Sequence, residues 1–357
     1  MIKKDTENEM KFALVQGKLY TPSGIGVSDL TDFDYYTSGY KWVKWGFENR
    51  LPQVFYDNYL KCSLLTSIVN RMCDYTYGEG LTMSETVATT DNEEDLESVV
   101  RKCVFDYILF GGFAVECIRN RMGDIVRYNY VNVMNLRVNA DLTTAYISRK
   151  WTNYSSAKVI EVPLYNKNEN QSHFIFYYRG TITKGVNPIP CYISALKSIE
   201  ILNNTRNFHK RNLENGFNIS CIINLNDGNV KTKELAEIKE KLEKGYTGSE
   251  NAGKILILNN QDKAHAATVE RLSADNFGEL YLSLSQSSET DIMTAFGINE
   301  MLLGRNVQTG FSKEEFENAY ALFYTTTILP IQQTFQKQFK KINLGFEFKP
   351  FKIEWGE

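Results

Sequence analysis

Asn187-Pro188-Ile189-Pro190-Cys191-Tyr192-Ile193-Ser194-Ala195-Leu196-Lys197-Ser198-Ile199-Glu200 is the stretch on which the fold turns. Each proline fixes its own φ and pushes the residue before it toward extended backbone, so 187–190 reads as a rigid hinge. Behind the hinge Ala195, Leu196, Ile199 and Leu202 recur at helical spacing, and beyond Asn203 the same face turns polar through Arg206 until Gly216. A helix that leaves its own core and ends in water or against a partner carries this pattern.

Downstream lies a small βαβ-like insert: a strand Ile219–Ile223, a turn at Asp227-Gly228, a charged helix from Thr232 to Lys244 and a strand Lys254–Leu258. It is too short for an independent core and must rely on neighbours. Leu280, Leu284 and Ile292 then mark another helix, broken by Gly297 before the loop Gly304-Arg305-Asn306-Val307-Gln308-Thr309-Gly310. From Leu272 to Gly304 every charged residue is acidic: Asp275, Glu279, Glu289, Asp291 and Glu300. The helix behind the hinge holds Lys197, Arg206, Lys210 and Arg211 against Glu200 and Glu214. Opposite-signed helices flanking an insert suit side-by-side packing, within one chain or between copies; two solvated faces account for the same charges.

Upstream, residues 1–56 are rich in Gly, Tyr and Trp without periodicity and read as an irregular arm that includes Trp42 and Trp45. From Asp57 the spacing of Leu60, Leu64, Ile68, Met72 and Tyr75 predicts a helix that stops at Gly78 and Gly80. A second is expected from Asp91, with Glu93, Glu94 and Asp95 in the first turn, where the helix dipole favours acids. It carries Leu96, Val100, Cys103 and Ile108 inward and ends at Gly111-Gly112. Five strand-like runs follow, at 113–118, 125–130, 144–151, 158–165 and 173–178, rich in β-branched and aromatic residues. The expected class is α+β, helices packed on a mainly antiparallel sheet. Ser312 and Glu315 form a capping box for a last long helix reaching about Lys341, with Phe316, Phe323, Ile328, Ile331, Phe335, Phe339 and Ile342 inward. Pro330 should kink it, and a short aromatic strand, Phe346 to Trp355, closes the chain.

Composition narrows the function. A length of 357 residues has room for about two domains. Hydrophobic residues at 43% and charged residues at 23% indicate neither disorder nor a membrane class. The first ten residues alternate charge, unlike a signal peptide, and no apolar run is long enough to span a bilayer. A net charge of −3 argues against gripping nucleic acid through many phosphates. Cys62, Cys73, Cys103, Cys117, Cys191 and Cys221 form no C-x-x-C pair and are expected as small buried thiols. Gly248-Ser249-Glu250-Asn251-Ala252-Gly253-Lys254 imitates a phosphate loop, but Ile255 replaces the magnesium-holding hydroxyl and the loop sits between helix and strand in the wrong order. His173, His209 and His265 lie in no metal or catalytic spacing, and no G-x-S-x-G elbow is present. No catalytic, cofactor or metal residue is therefore assigned.

Taken in order, these residues resemble the portal proteins of tailed double-stranded-DNA phages over about residues 57–345. The likeness rests on Pro188-Ile189-Pro190 leading into Ser194–Glu200, then Asn215-Gly216-Phe217, Ala252–Leu258, Ala295-Phe296-Gly297-Ile298-Asn299 with Leu302-Leu303-Gly304, and Ile328-Leu329-Pro330-Ile331. The resemblance implies a portal-type subunit with an N-terminal arm (1–56), a helix-and-sheet wing (57–187), stem helices (188–216 and 271–303), and a small α/β clip (217–270). It further implies a tunnel loop (304–311), a long kinked wing helix (312–345) and a short final strand (346–357), with the C-terminal crown largely absent.

Functionally it implies a ring, expected as a dodecamer, at one capsid vertex of the virion, assembled in the host cytoplasm. The ring would be a non-enzymatic channel for packaging and ejecting double-stranded DNA, with the terminase large subunit, a head-tail adaptor and the major capsid protein as partners. Arg305, Asn306, Gln308 and Thr309 would face DNA without reading bases. Lys239, Lys241, Glu243, Lys244 and Glu250 would meet the motor or adaptor, and Lys197, Arg206, Lys210, Glu279 and Glu289 belong to the stem. In a ring each such charge is repeated around the axis, so modest charge per chain suffices, and an acidic stem keeps hold on DNA weak. The alternatives are another phage capsid or tail subunit and a DNA-modifying enzyme.

Overall fold

The computed structural model describes residues 41–46, 49–83, 95–151, 158–180, 185–215, 219–225, 254–259, 277–305 and 312–351. The described elements, in chain order, begin with helices α1 (Leu51–Lys61) and α2 (Ser63–Tyr77), strand β1 (Leu81–Met83) and helix α3 (Leu96–Phe110). Strands β2 (Phe113–Arg119), β3 (Ile125–Val131), β4 (Leu136–Val138), β5 (Thr144–Ile147), β6 (Ile160–Pro163) and β7 (His173–Tyr178) follow. Then come helix α4 (Leu196–Asn215), strands β8 (Ile219–Leu225) and β9 (Lys254–Asn259), helices α5 (Phe277–Phe296), α6 (Lys313–Phe323) and α7 (Leu329–Lys340), and strand β10 (Phe346–Phe348). The class is α+β, as expected. Two units divide the chain: Met1–Asp57, Met83–Pro190 and Gln338–Gly345 form the first, and Asn58–Thr82, Cys191–Lys337 and Phe346–Glu357 the second.

In the first unit, α3 starts where Asp95 accepts a hydrogen bond from the Ser98 amide at 2.8 Å and ends at Gly111, left-handed at φ 86°. The N-cap is thus Asp95, one of three acids expected inside the first turn; the predicted start at Asp91 lies outside the described residues. Val99, Val100, Cys103 and Val104 are fully buried along the helix, which packs on β2 and β3. β2 is the middle strand of an antiparallel β3-β2-β7 sheet, with Val115 opposite both Tyr130 and Phe176. Phe113, Ala114 and Val115 are buried in succession, which requires cover on both faces. Part of that cover is Phe339, stacked on Phe113 with ring centroids 5.4 Å apart. A second antiparallel sheet runs β4-β5-β6.

Two departures from the sequence reading fall at the start of the described chain. Trp45 is buried in the first unit against Phe110, and Trp42 packs on Tyr146 and Trp151 at 5.5 and 5.2 Å, so 41–46 belong to a core rather than to an irregular arm. Helix also begins at Leu51 and breaks at Cys62, whose extended backbone precedes α2. The single helix expected from Asp57 is therefore two, and Leu60, expected on its apolar face, is 62% exposed.

In the second unit Tyr75 of α2 sits among Tyr320, Phe323 and Phe351, and its hydroxyl donates to the Leu302 carbonyl at 3.1 Å. Gln332 donates to the Thr76 carbonyl at 2.9 Å, and β1 pairs with β10. Strands β8 and β9 are parallel, with Ile222 opposite Leu256. A parallel pair needs a crossover connection, and residues 226–253 are long enough to supply one. The Ser312–Glu315 capping box opens α6 as expected, with both reciprocal bonds made. Five of the seven inward residues predicted for the long helix are buried, while Phe316 and Ile331 are half-buried. The disturbance expected at Pro330 takes the form of a π turn at Tyr324–Ile328, where the Leu329 amide reaches back to the Tyr324 carbonyl. Thr325 and Thr326 hydroxyls bond to carbonyls four residues earlier, at 2.7 Å each.

Cys62, Cys73, Cys103 and Cys117 are buried thiols as expected, Cys191 is exposed where the chain re-enters the second unit, and the Cys221 side chain lies outside what is described. Burial pushes the Cys103 and Cys117 thiols well above the ordinary thiol range, which keeps them unreactive.

Candidate functional site: an antiparallel helix pair

The hinge is anchored before the helices begin. The Asn187 side chain donates to the Lys44 carbonyl at 3.1 Å, and the Gly111-Gly112 turn lies directly against Pro188–Pro190. A one-turn helix, Cys191–Ala195, follows and presents buried Tyr192, which stacks on Phe296 at 4.9 Å with ring planes 20° apart.

From there α4 and α5 pack on each other. Ser198 donates to Asp291 at 3.0 Å near the start of α4, while Phe208, farther along, meets Tyr281 at 5.3 Å. The partners on α5 descend as those on α4 ascend, so the helices are antiparallel. The contact points lie ten residues apart on each helix, a span of about 15 Å at 1.5 Å per residue. His209 joins the far cluster at 5.4 Å from Tyr281. Helices carrying opposite charge thus do pack, and the contacts that join them include a serine–carboxylate bond and a tilted Phe208–Tyr281 ring pair. Arg206 turns away from α5 to Ser63 of α2, donating at 2.9 Å.

Past α5, Gly297 and the Asn299-capped turn Glu300–Leu303 bring the chain to left-handed Gly304 at φ 69°. Arg305 there folds back and pairs with Glu289 of α5 at 2.6 Å, with side chains 40% and 22% exposed. A half-buried ion pair of this geometry holds the base of the loop against the helix. Arg305 and Glu289, expected from sequence in loop and stem separately, are one structural unit. Lys197, Arg206, Lys210 and Glu279 are all exposed on the two helices. Asn306, Gln308 and Thr309, together with Lys239, Lys241, Glu243, Lys244 and Glu250, lie outside the described residues.

Apolar periodicity gives no warning of a different cluster, in the first unit. A cavity of about 450 Å³ is lined by Asn49, Arg50, Pro52, Gln53, Met134, Asn135, Arg137, Arg149, Lys150 and Trp151. The one signal that could have found it is Arg149-Lys150-Trp151, two cations beside an aromatic ring. Arg137 is hidden because Leu136-Arg137-Val138 alternates as a strand should, which aims arginine at water. Trp45 and Trp151 instead cover it, at 5.5 and 5.0 Å from its guanidinium carbon. Among the described residues no group of acids, cysteines and histidines could hold a metal, and no helix is long and apolar enough to cross a membrane.

These features define a class: a two-unit α+β subunit in which a proline hinge leads into an antiparallel helix pair interrupted by a small parallel-stranded insert. The family model described as phage portal protein matches residues 92–353. The chain belongs to the phage portal protein family.

Solved structures agree at the level of fold. An HK97 family phage portal protein from Corynebacterium diphtheriae is matched at TM-score 0.52 and 9% identity, over 83% of this chain and 94% of that one. A chain of the virion of a native gene transfer agent particle is matched at TM-score 0.55 and 13% identity, over 84% and 82%. A chain from the neck of the native particle, computed with C12 symmetry, is matched at 0.53 and 12%, over 84% of each. No curated protein matches the sequence closely enough to count.

Proposed function

We propose that the chain is the repeating subunit of a portal ring, a non-enzymatic channel that passes double-stranded DNA without reading its sequence, placed at one capsid vertex of the virion and assembled in the host cytoplasm. One observation on α5 carries the ring. Leu282 and Leu284 are 60% and 40% exposed. At 100° per residue they lie about 80° to either side of the buried line through Ile292. One helix therefore shows an apolar side chain on each flank while its middle face is packed. A closed ring of identical chains uses head-to-tail contacts, for which every copy must offer two different surfaces. The gene transfer agent neck computed with C12 symmetry supports a twelve-membered ring.

In this reading the wing comprises 57–187 and 312–345, the stem 188–216 and 271–303, and the clip 217–270. Terminase and then a head-tail adaptor dock on the clip through Lys239, Lys241, Glu243, Lys244 and Glu250, and the major capsid protein surrounds the wing. Arg305, Asn306, Gln308 and Thr309 face the duplex, with the Glu289 pair fixing the root of their loop. Deleting 305–309 is expected to leave rings intact while packaged DNA per particle falls at least tenfold. Unchanged packaging would remove the loop from the channel.

The ring itself is tested by light scattering and negative-stain microscopy of purified protein. Wild type should form closed rings with a central hole. Leu282→Glu and Leu284→Glu, each folded by circular dichroism, should both be monomeric. Mixed together they should give dimers, because each variant retains the surface the other lacks. A monomeric wild type, or solid filaments without a pore, overturns the proposal.

A further inference from the structure

Arg137 is an unusual charge to find inside the first unit. Only 2% of it is exposed, and no carboxylate lies within ion-pair reach among the described residues. Four of its five N–H groups are committed: Nε to the Asn49 side chain, Nη1 to the Met134 and Leu136 carbonyls, and one on Nη2 to the Asn49 carbonyl. All four acceptors are neutral, so among the described residues the positive charge is hydrogen-bonded but not compensated. Burial draws its pKa down to about 9. Isolated buried charges are costly, and proteins keep them where a counter-charge completes the site.

The wall around this guanidinium points to where that counter-charge comes from. The cavity adds Arg50, Arg149 and Lys150 and has no acidic residue among the described residues of its lining. Arg149 and Lys150 are exposed, at its mouth. Pro52 and Gln53, in the first turn of α1, bring the positive end of an 11-residue helix to the same wall. Trp151 is only 7% exposed, yet its indole Nε1–H finds no hydrogen-bond acceptor among the described residues. A buried donor without an acceptor costs free energy unless a ligand supplies one. The volume falls within the range of small-ligand sites.

We propose that this cavity is a phosphate-binding site, in which a phosphoryl group provides the counter-charge of Arg137 and accepts from Trp151 Nε1. Phosphate fits better than a carboxylate because its extra terminal oxygen serves donors converging from several sides, and because up to two negative charges suit Arg137 together with Arg149 and Lys150 at the mouth. The group arrives on a small phosphate compound or on a nucleic-acid backbone; the chemistry at the site is the same. The proposal does not depend on ring assembly.

Inorganic pyrophosphate is titrated into the full-length protein at low salt by calorimetry, with tryptophan fluorescence as a second readout. Saturable binding is expected, weakened at least tenfold in R149A/K150A, whose replaced side chains are exposed and outside the core. W151F keeps a ring over Arg137 and removes only the N–H; about threefold weaker binding is expected. A short DNA duplex that displaces pyrophosphate identifies the backbone as the source, and one that does not identifies a small phosphate compound; either supports the site. Absence of binding, or equal binding by R149A/K150A, overturns it. So does a polyglutamate peptide that binds where pyrophosphate does not. Glu48, outside the described residues, gives one more outcome: if only E48Q binds pyrophosphate, the counter-ion is the chain's own and the proposal falls.

Discussion

Asp106→Asn is expected to be about as stable as wild type at pH 4 and more stable at pH 8, by on the order of 4 kcal/mol. Asp106 is 1% exposed on α3, and its Oδ2 accepts from the Tyr130 hydroxyl at 2.9 Å and the Val133 amide at 3.0 Å. Burial raises its pKa from 3.8 to about 7, against the smaller opposing pull of those two bonds. Between pH 4 and 7 the folded protein keeps a proton that the unfolded chain releases, so stability is fully present below the unfolded value and drains away as pH rises through 7. Asparagine offers a carbonyl oxygen to the same two donors and never ionises. Urea midpoints of both proteins across pH 4 to 8 isolate the effect, since other titrating groups cancel in the difference. Parallel profiles would show that Asp106 is not ionised at the expense of the fold.

Asp106 also illustrates what sequence could and could not carry. Its neighbours Cys103 and Ile108 give the stripe that predicts α3, and that stripe is buried. Asp106 itself reads as a solvated helix residue, because its partners Tyr130 and Val133 come from a distant strand and turn. Local pattern reports which face of an element is apolar; it does not report which polar residue a second element will cover. The same limit hides Arg137, whose strand alternates normally but whose outer face is closed by Trp45 and Trp151. Strands β1, β4 and β10, three residues each, are too short to leave a period, and β10 occupies only part of the expected aromatic run.

The helix pair is more legible than the sheets, for a physical reason. A helix of 20 residues spans about five turns, so its pattern can show where an apolar face runs and, as in α4 beyond Asn203, where it stops. Opposite net charge suits the packing the two helices show, and Ser198–Asp291 and Phe208–Tyr281 are among the contacts that join them. Leu284 belongs by spacing to the inward stripe of its helix and is 40% exposed. An apolar residue that a single chain leaves at the edge of a packed face is open to a neighbour or to water, and sequence periodicity cannot distinguish it from an inward one.

Gly111→Ala is expected to destabilise the first unit by on the order of 4 kcal/mol, at the upper end of single substitutions. Two costs combine. Gly111 closes α3 at φ 86°, a left-handed conformation that costs a residue with a Cβ roughly 1–2 kcal/mol. A Cβ there would also stand 2.3 Å from the Ile189 carbonyl carbon and oxygen and 2.7 Å from the Pro190 nitrogen. Those are backbone atoms of a segment stiffened by two prolines, so the hinge cannot yield by rotating a side chain. Gly112 and Gly180 crowd the same place: a methyl group on the first would stand 2.5 Å from the Tyr178 oxygen, and one on the second 2.7 Å from the Gly111 oxygen. Gly123→Ala separates the two costs: φ is 96°, but nothing lies within 4 Å, so only conformational strain of about 1 kcal/mol applies. Urea denaturation of both variants reads the comparison. Equal losses would mean that the turn accommodates the methyl group and that the helix end does not brace the hinge from which α4 departs.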